Sequence, residues 1–218
     1  MSSPWLSVPL ADYEGHMKSA EVRQLDALSK LFSAALVRCR PGSVAVLGIA
    51  GGNGLDCVDG NITRRIVGLD LNPLYLDEVR RRYAGKSGLE LHCVDLARQA
   101  VDLEPVELVH AALVFEHAGV DLCLENAISL VAQGGSLSVV LQLPGEPGRE
   151  VGASPFASLQ GLKSHFSLVD PLWLGEKLGQ RAFRLAYQER HALPASKGFW
   201  MGIFSASRPE RRRPSACA

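Results

Sequence analysis

The chain has 218 residues, 47% of them apolar, enough for one sizeable α/β domain with a buried core. Its 23 basic and 23 acidic side chains cancel, so no net field draws in a nucleic acid or an anionic membrane surface. No apolar run approaches the roughly 20 residues of a membrane span, and the start MSSPWLSVPLADYEGHM lacks a basic region followed by an apolar stretch, so the expectation is a cytoplasmic protein.

In chain order, ADYEGHM first bunches Tyr13, Glu14 and His16. From Ser19 to Arg38 the positions Val22, Leu25, Leu28, Phe32 and Leu36 recur at helical spacing, predicting one amphipathic helix that Pro41-Gly42 ends. SVAVLGI is a continuous apolar run of strand length, as in a strand covered on both faces. A glycine-rich turn and a short helix should follow, then RIVGLDL as a second strand. Asn72-Pro73 opens a helix with Leu76, Val79 and Tyr83 on one stripe and Arg80, Arg81 and Arg82 mostly facing water. LELHCVDL and VELVHAALVF read as the third and fourth strands. Val120, Leu124, Ala127, Ile128 and Val131 mark another helix, closed by Gly134-Gly135, and SLSVVLQL is the fifth strand.

The Pro/Gly-rich segment PGEPGREVGASPF reads as a loop, followed by a short helical piece from Ala157 to Lys163 and a brief extended piece in HFSLVDP. PLWLGEKLGQ predicts a helix, FRLAYQERHAL and KGFWMGIFSAS two strands joined by a short connection, and RPERRRPSACA a fraying polar tail. Strands alternating with helices call for a mostly parallel sheet with helices on both faces, and the last two strands add an antiparallel hairpin. Ligands of such sheets bind at the carboxyl ends of the strands, where strand order reverses.

The cysteines at 39, 57, 93, 123 and 217 form no C-x-x-C pair and have no histidine at ligand spacing, so no metal is expected. Cys57, Cys93 and Cys123 lie in apolar surroundings and are expected to pack as small buried hydrophobes.

The glycines of VLGIAGGNGLD fit three ligands: a phosphate, a dinucleotide or a nucleoside sulfonium. No Lys-Ser or Lys-Thr follows them, so the phosphate-cradling lysine of a P-loop is missing. The pattern G-x-G-x-x-G, started at Gly52 and Gly54, puts Cys57 at the third position; started at Gly48, it puts Ala50 at the second position and Asn53 at the third. What remains is G-x-A-x-G-x-G on Gly48, Ala50, Gly52 and Gly54, small residues on alternate positions that let the backbone approach a ribose and a zwitterionic amino acid.

With these residues the sequence resembles the class I S-adenosylmethionine-dependent methyltransferases. VLGIAGGNG is similar to the family's glycine motif, VGLDLNP to the acidic end of its second strand, HCVDLA to the Asp turn after its third, LVHAALVFEH to its fourth-strand motif, and LVAQGGSLSVVLQLP to the approach to its fifth. The resemblance covers Ser43 to Pro144 in motifs. It implies a Rossmann-like, seven-stranded, mostly parallel sheet with helices on both faces and an antiparallel C-terminal hairpin strand. The domain plan that follows is an N-terminal lid and helix over 1–40, the methyltransferase domain over 41–207, and a flexible tail over 208–218.

S-adenosylmethionine is the implied cofactor. Gly48, Ala50, Gly52 and Gly54 approach it with backbone, and Asp70 can accept both ribose hydroxyls. Asp95 accepts from the adenine amino group, Leu71 and Leu96 sandwich the ring, and Phe115 lies in the fourth-strand motif. For Asp95 a plain surface turn is the alternative, and for Asp70 a helix N-cap, with Asn72 standing closer to that role. Where the family carries an acidic residue at the start of its glycine motif, this chain has Leu47 and Gly48, so Tyr13 and His16 in ADYEGHM are candidates to complete the site, or simply to cap the helix behind them.

A sulfonium methyl is already electrophilic, so the protein mainly aligns a nucleophile and keeps water out. His117 in FEHAG is the first candidate base, with Glu116 and Tyr13 behind it; a helix cap or a solvated ring is the alternative for His117. No Asn-Pro-Pro-Tyr-like motif follows the fourth strand, which favours a small-molecule acceptor with an O or N nucleophile, walled by Ser154 to Lys163 and Trp173. A silent S-adenosylmethionine binder and an NAD(P)-dependent oxidoreductase are the competing functions, and a homodimer stays open.

Overall fold

Apolar runs alternating with amphipathic segments place strand after strand in one sheet, seen in a computed structural model that describes residues 3–145, 154–194 and 197–206. The polar tail and most of the Pro/Gly-rich segment lie outside the described residues. The strands are β1 (Ser43–Leu47), β2 (Arg65–Asp70), β3 (Leu89–Cys93), β4 (Val106–Ala112), β5 (Val131–Leu143), β6 (Phe183–Ala192) and β7 (Gly198–Ala206). The helices are α1 (Leu10–Lys18), α2 (Gln24–Cys39), α3 (Pro73–Arg82), α4 (Val114–Ala118), α5 (Asp121–Ser129) and α6 (Pro171–Gly179). Among the described residues no helix is long and apolar enough to cross a membrane.

The sheet order is β3-β2-β1-β4-β5-β7-β6, with β1 to β5 parallel and β7 antiparallel to both β5 and β6. This is the expected Rossmann-like sheet with its antiparallel hairpin. After β3 the chain crosses back past β1 to lay down β4, so the carboxyl ends of β1 and β4 form the crevice where this topology takes ligands.

Alternate residues of each strand feed opposite faces. On one face α2 (Leu25, Leu28, Phe32, Leu36) and α3 (Leu76, Val79) pack on Val44, Ile66 and Leu108. On the other, α5 (Leu124, Ala127) and α6 (Leu174, Leu178) pack on Leu47, Val67, Val109 and Val139.

Several expectations need correction. The helix expected over Ser19–Arg38 starts later: a separate helix α1 ends at Lys18, residues 19–23 turn the chain with Arg23 at φ 48°, and α2 begins only at Gln24. Val22 is buried in that turn and prolongs the apolar stripe, which is why the period ran through the break. Gly134-Gly135 does not close a helix. α5 stops at Ser129, and β5 runs through both glycines, Gly134 at φ 76°, where the β4–β5 register shifts between Val106 and Leu108.

HFSLVDP holds no strand: the Ser167 N–H donates to the Glu116 carbonyl, and Asp170 caps α6 by accepting from Leu172 and Trp173. Cys57 and Cys93 are exposed, one in a 3-10 turn after the glycines and the other on the edge strand β3; Cys123 alone of the three is buried. Arg80 and Arg81 do face water beside Asp77 and Glu78, but Arg82 turns inward to Glu14 and the Gly51 carbonyl.

Candidate functional site

The chain leaves β1 in a sharp turn in which Gly48 (φ 66°), Ala50 (φ 46°), Gly52 (φ 83°) and Gly54 (φ 86°) all take positive φ. Asp70, the last residue of β2, braces it: Oδ2 accepts from the Ala50 N–H at 2.8 Å and Oδ1 from the Asn72 N–H at 2.9 Å. The carboxylate is only 8% exposed, and burial raises its pKa against these backbone donors. Asn72, not Asp70, caps α3, accepting from the Leu74 N–H at 3.0 Å.

A cavity of about 650 Å³ opens over these strand ends. Gly48, Ala50, Asp70, Leu71, Asp95 and Leu96 line one side of it. Gly52 and Gly54 do not; their lack of a side chain serves packing instead. A Cβ at Gly52 would stand 2.6 Å from the Tyr83 ring, and one at Gly54 2.9 Å from the Phe32 ring. Asp95 sits in the turn after β3, where Oδ1 accepts from the Ala97 N–H at 3.0 Å and Arg98 approaches Oδ2 at 3.7 Å.

The cavity is roofed by two segments far apart in the sequence, one around residues 3–18 and the other around residues 154–166. Val8, Leu159 and Leu162 form a small apolar cluster with Trp5, Tyr13 and Phe156. Polar bonds fasten this roof to the sheet side: the Tyr75 hydroxyl donates to the Val8 carbonyl (2.9 Å), the Asn72 amide to the Trp5 carbonyl (3.0 Å), and Arg82 pairs with Glu14 on α1. Within the roof, the Ser158 hydroxyl donates to Asp12 at 2.6 Å.

Tyr13 and His16 both line the cavity from α1. Burial, reinforced by the charges of Asp70 and Glu14, drives the Tyr13 pKa up, so it is a neutral phenol at all ordinary pH. His16 Nδ1 is buried without a partner, and burial, then the Lys197 charge, lowers its pKa.

His117, on α4, also faces the cavity, held edge-on between Trp5 (centroids 4.9 Å) and Phe166 (5.2 Å). Its Nδ1 is buried without a partner, and burial pushes its pKa down to about 4. The residue as a whole is half-buried on the cavity wall, in the last turn of α4, and makes no capping bond to α5. Glu116 points away from the cavity; it is 1% exposed, its Oε1 accepts from the Gln142 N–H at 2.8 Å, and burial raises its pKa to about 7. Phe115 likewise belongs to the core beneath. Trp173 stands away from the cavity with Lys177 over its ring, whereas Ser154, Leu159, Gln160 and Leu162 do form part of the wall. Trp5, Tyr75, Phe166 and Lys197 line the cavity from segments carrying no motif, and Gln142, inside the fifth-strand stretch, had nothing to single it out in the sequence.

No family model matches the chain, and no curated protein matches it. Solved structures do. The magnesium protoporphyrin IX methyltransferase ChlM from Synechocystis PCC 6803, with bound SAH, superposes with a TM-score of 0.67 at 14% identity, covering 93% of this chain and 96% of that one. A DhpI–SAM–HEP complex gives 0.62 at 18% identity over 94% of each chain. The [4+2]-cyclase SpnF gives 0.64 at 12% identity, covering 84% of this chain and 81% of its own. The fold is that of the class I S-adenosylmethionine-dependent methyltransferases.

Proposed function

We propose that the protein is an S-adenosylmethionine-dependent methyltransferase acting on a small-molecule acceptor. The observation that carries this reading is the placement of Asp70: a nearly buried carboxylate at the end of β2, tied to the glycine turn and still lining the cavity beside Gly48, Ala50, Leu71 and Leu96. Its oxygens accept from the backbone at Ala50 and Asn72, with Leu71 also close, and a carboxylate's four lone-pair sites leave room for a ribose hydroxyl. Asp95 offers the adenine amino group an acceptor, Leu71 and Leu96 flank the ring, and Tyr13 and His16 stand at the methionine end. The unmet Nδ1 of His16 is in keeping with a ligand there. When bound, the cofactor supplies an electrophilic sulfonium methyl. The chain's own part is to orient, to exclude water with the roof of α1 and residues 156–166, and to present the acceptor beside His117. Of His117, Glu116 and Tyr13, only Glu116 lies outside the cavity wall, so acceptor contact falls to the other two. The roofed cavity favours a small acceptor over a polymer, and residues 3–18 act as the lid.

A second reading, a binder of the same cofactor that transfers no methyl group, is favoured by the depressed basicity of His117. Calorimetric titration with S-adenosylmethionine, S-adenosylhomocysteine and NAD tests the binding reading. Both adenosyl compounds are expected to bind and NAD not to. Asp70→Asn is expected to weaken S-adenosylhomocysteine at least about tenfold, one charge-assisted bond of about 1.5–3 kcal/mol. Binding of NAD alone, or wild-type affinity in Asp70→Ala, would overturn the assignment. Transfer of labelled methyl groups into a metabolite extract separates enzyme from binder.

A further inference from the structure

α2 leads through Pro41-Gly42 into β1 and packs back against Val44, so helix and strand run antiparallel and the start of α2 comes to the carboxyl end of the sheet, where Val22 and Gln24 join the cavity wall. This helix start is uncapped. Arg23 makes no side-chain cap bond, and the N–H groups of Gln24, Leu25 and Asp26 find no protein acceptor among the described residues. Unmet groups of this kind, at the head of a helix of 16 residues, carry about half a positive charge.

Two side chains point to a ligand at the same corner. Gln24 is only 7% exposed, its amide makes no hydrogen bond to the described residues, and the part of it left open faces the cavity. His16, from α1, lines the same cavity with a buried Nδ1 that has no partner. The turn between the helices keeps the two together: the Ser19 N–H donates to the His16 carbonyl, and the Arg23 N–H to the Ser19 carbonyl. Buried polar groups are as a rule paired, so unmet ones presented by two helices to one cavity mark a place where a ligand supplies the partner. The carboxylates nearest in sequence turn elsewhere: Glu21 and Asp26 are exposed, and Glu14 pairs with Arg82. Lys197, which also lines the cavity, has an interaction of its own and is not called upon.

Resting on the methyltransferase reading, we propose that the corner formed by the start of α2, Gln24 and His16 is a carboxylate-binding subsite. The two oxygens of a carboxylate accept from the helix N–H groups and from the Gln24 amide, and the His16 imidazole donates from Nδ1 in one of its neutral tautomers. A single negative charge matches the helix end. A doubly charged phosphate would stay largely uncompensated there, and an ammonium would meet the positive end of the helix. In the methyltransferase reading two molecules share the cavity, and each is a source of the group: the cofactor through its amino-acid end, and the acceptor.

The test has two arms, each run on the wild type, Gln24→Ala and Gln24→Glu. Calorimetry compares S-adenosylhomocysteine with its decarboxylated analogue, and ligand-detected NMR on protein saturated with S-adenosylhomocysteine compares benzoate with benzamide. Gln24→Glu guards against misfolding, because its added negative charge suits a helix start while opposing a bound carboxylate. Where the cofactor supplies the carboxylate, the wild type binds S-adenosylhomocysteine at least about tenfold tighter than the analogue, and both variants cut that ratio to about threefold or less with the analogue's affinity kept. Where the acceptor supplies it, the same ratios hold for benzoate over benzamide, and the variants leave S-adenosylhomocysteine unchanged. A carboxylate preference absent from both arms, or present and untouched by both variants, would overturn the proposal. Failure of the wild type to bind both adenosyl compounds would strike the methyltransferase reading instead.

Discussion

Glu116 and His117 are neighbours in the chain, and burial moves them in opposite directions, the carboxyl from 4.5 to about 7 and the imidazole from 6.5 to about 4. Each shift favours the neutral form. Between 4.5 and about 7 the native state holds a Glu116 proton that the unfolded chain has released, so this carboxyl makes stability fall as pH rises through that window. His117 works the other way: between about 4 and 6.5 the unfolded chain takes up a proton that the native state refuses, and stability falls as pH drops. His110, buried in β4 against Phe32 and Ser138, has its pKa lowered to about 4 and adds to the second effect. Glu116→Gln removes the carboxyl effect while leaving an amide oxygen for the Gln142 N–H. The variant's stability relative to wild type is expected to improve by about 2 kcal/mol between about pH 5 and pH 8, a discounted share of the full shift. Thermal melts at the two pH values check this, and an offset that does not change with pH would show that the carboxyl ionises normally in the fold.

α1 is short, and it is held by few contacts for an element that closes a cavity. Met17 reaches the core, Tyr13 joins the apolar cluster of the roof with Trp5, Asp12 accepts from Ser158, Glu14 pairs with Arg82, and the chain just ahead of the helix is tied by the Tyr75–Val8 and Asn72–Trp5 bonds. Arg82 and Glu14 are about 33% and 16% exposed, so their pairing contributes on the order of 1 kcal/mol or less to global stability. Its effect on the lid is larger in proportion, because apparent ligand affinity scales with the fraction of molecules in the closed form. Arg82→Gln is expected to speed amide exchange across residues 10–18, weaken S-adenosylhomocysteine about threefold to tenfold, and shift the melting temperature little. Exchange mass spectrometry and calorimetry on the same variant check it; unchanged exchange in α1 would show that the pair does not hold the lid. None of these ties was legible in the sequence. Asn72 could be read as a cap, since its local partner is two residues away, but its second bond is to residue 5, and the inward turn of Arg82 depends on α1 lying above it. The break at Arg23 escaped for the opposite reason: Val22 keeps the apolar period going across it.

Across the whole molecule, the inner strands β1, β2 and β4 were legible because a strand covered on both faces is a largely apolar run, and Asp70 follows from where the second of those runs stops. The bulge in β5 was not, since Gly134-Gly135 after a helix resembles a stop until the register with β4 is known. Nor was the roof, which joins chain near residue 5 to chain near residue 166. That joining makes a prediction about cooperativity. The roof shares Met17 with the main core and is bonded to Asn72 and Tyr75 of the β2–α3 region, so on heating it should melt together with the sheet in one transition, its openings in the native state being local fluctuations. A ligand clasped between Asp70 below and Tyr13 above then stabilises the entire domain through one equilibrium. At a hundredfold excess over its dissociation constant, S-adenosylhomocysteine adds about 2.7 kcal/mol, which for a domain of this size is roughly 5–11 °C in melting temperature. Calorimetry is expected to show one transition that moves by this amount with S-adenosylhomocysteine and stays in place with NAD. A separate low-temperature transition removed by the ligand would show that the lid is an independent unit, and a single transition that does not move would show that the cavity does not hold the nucleoside.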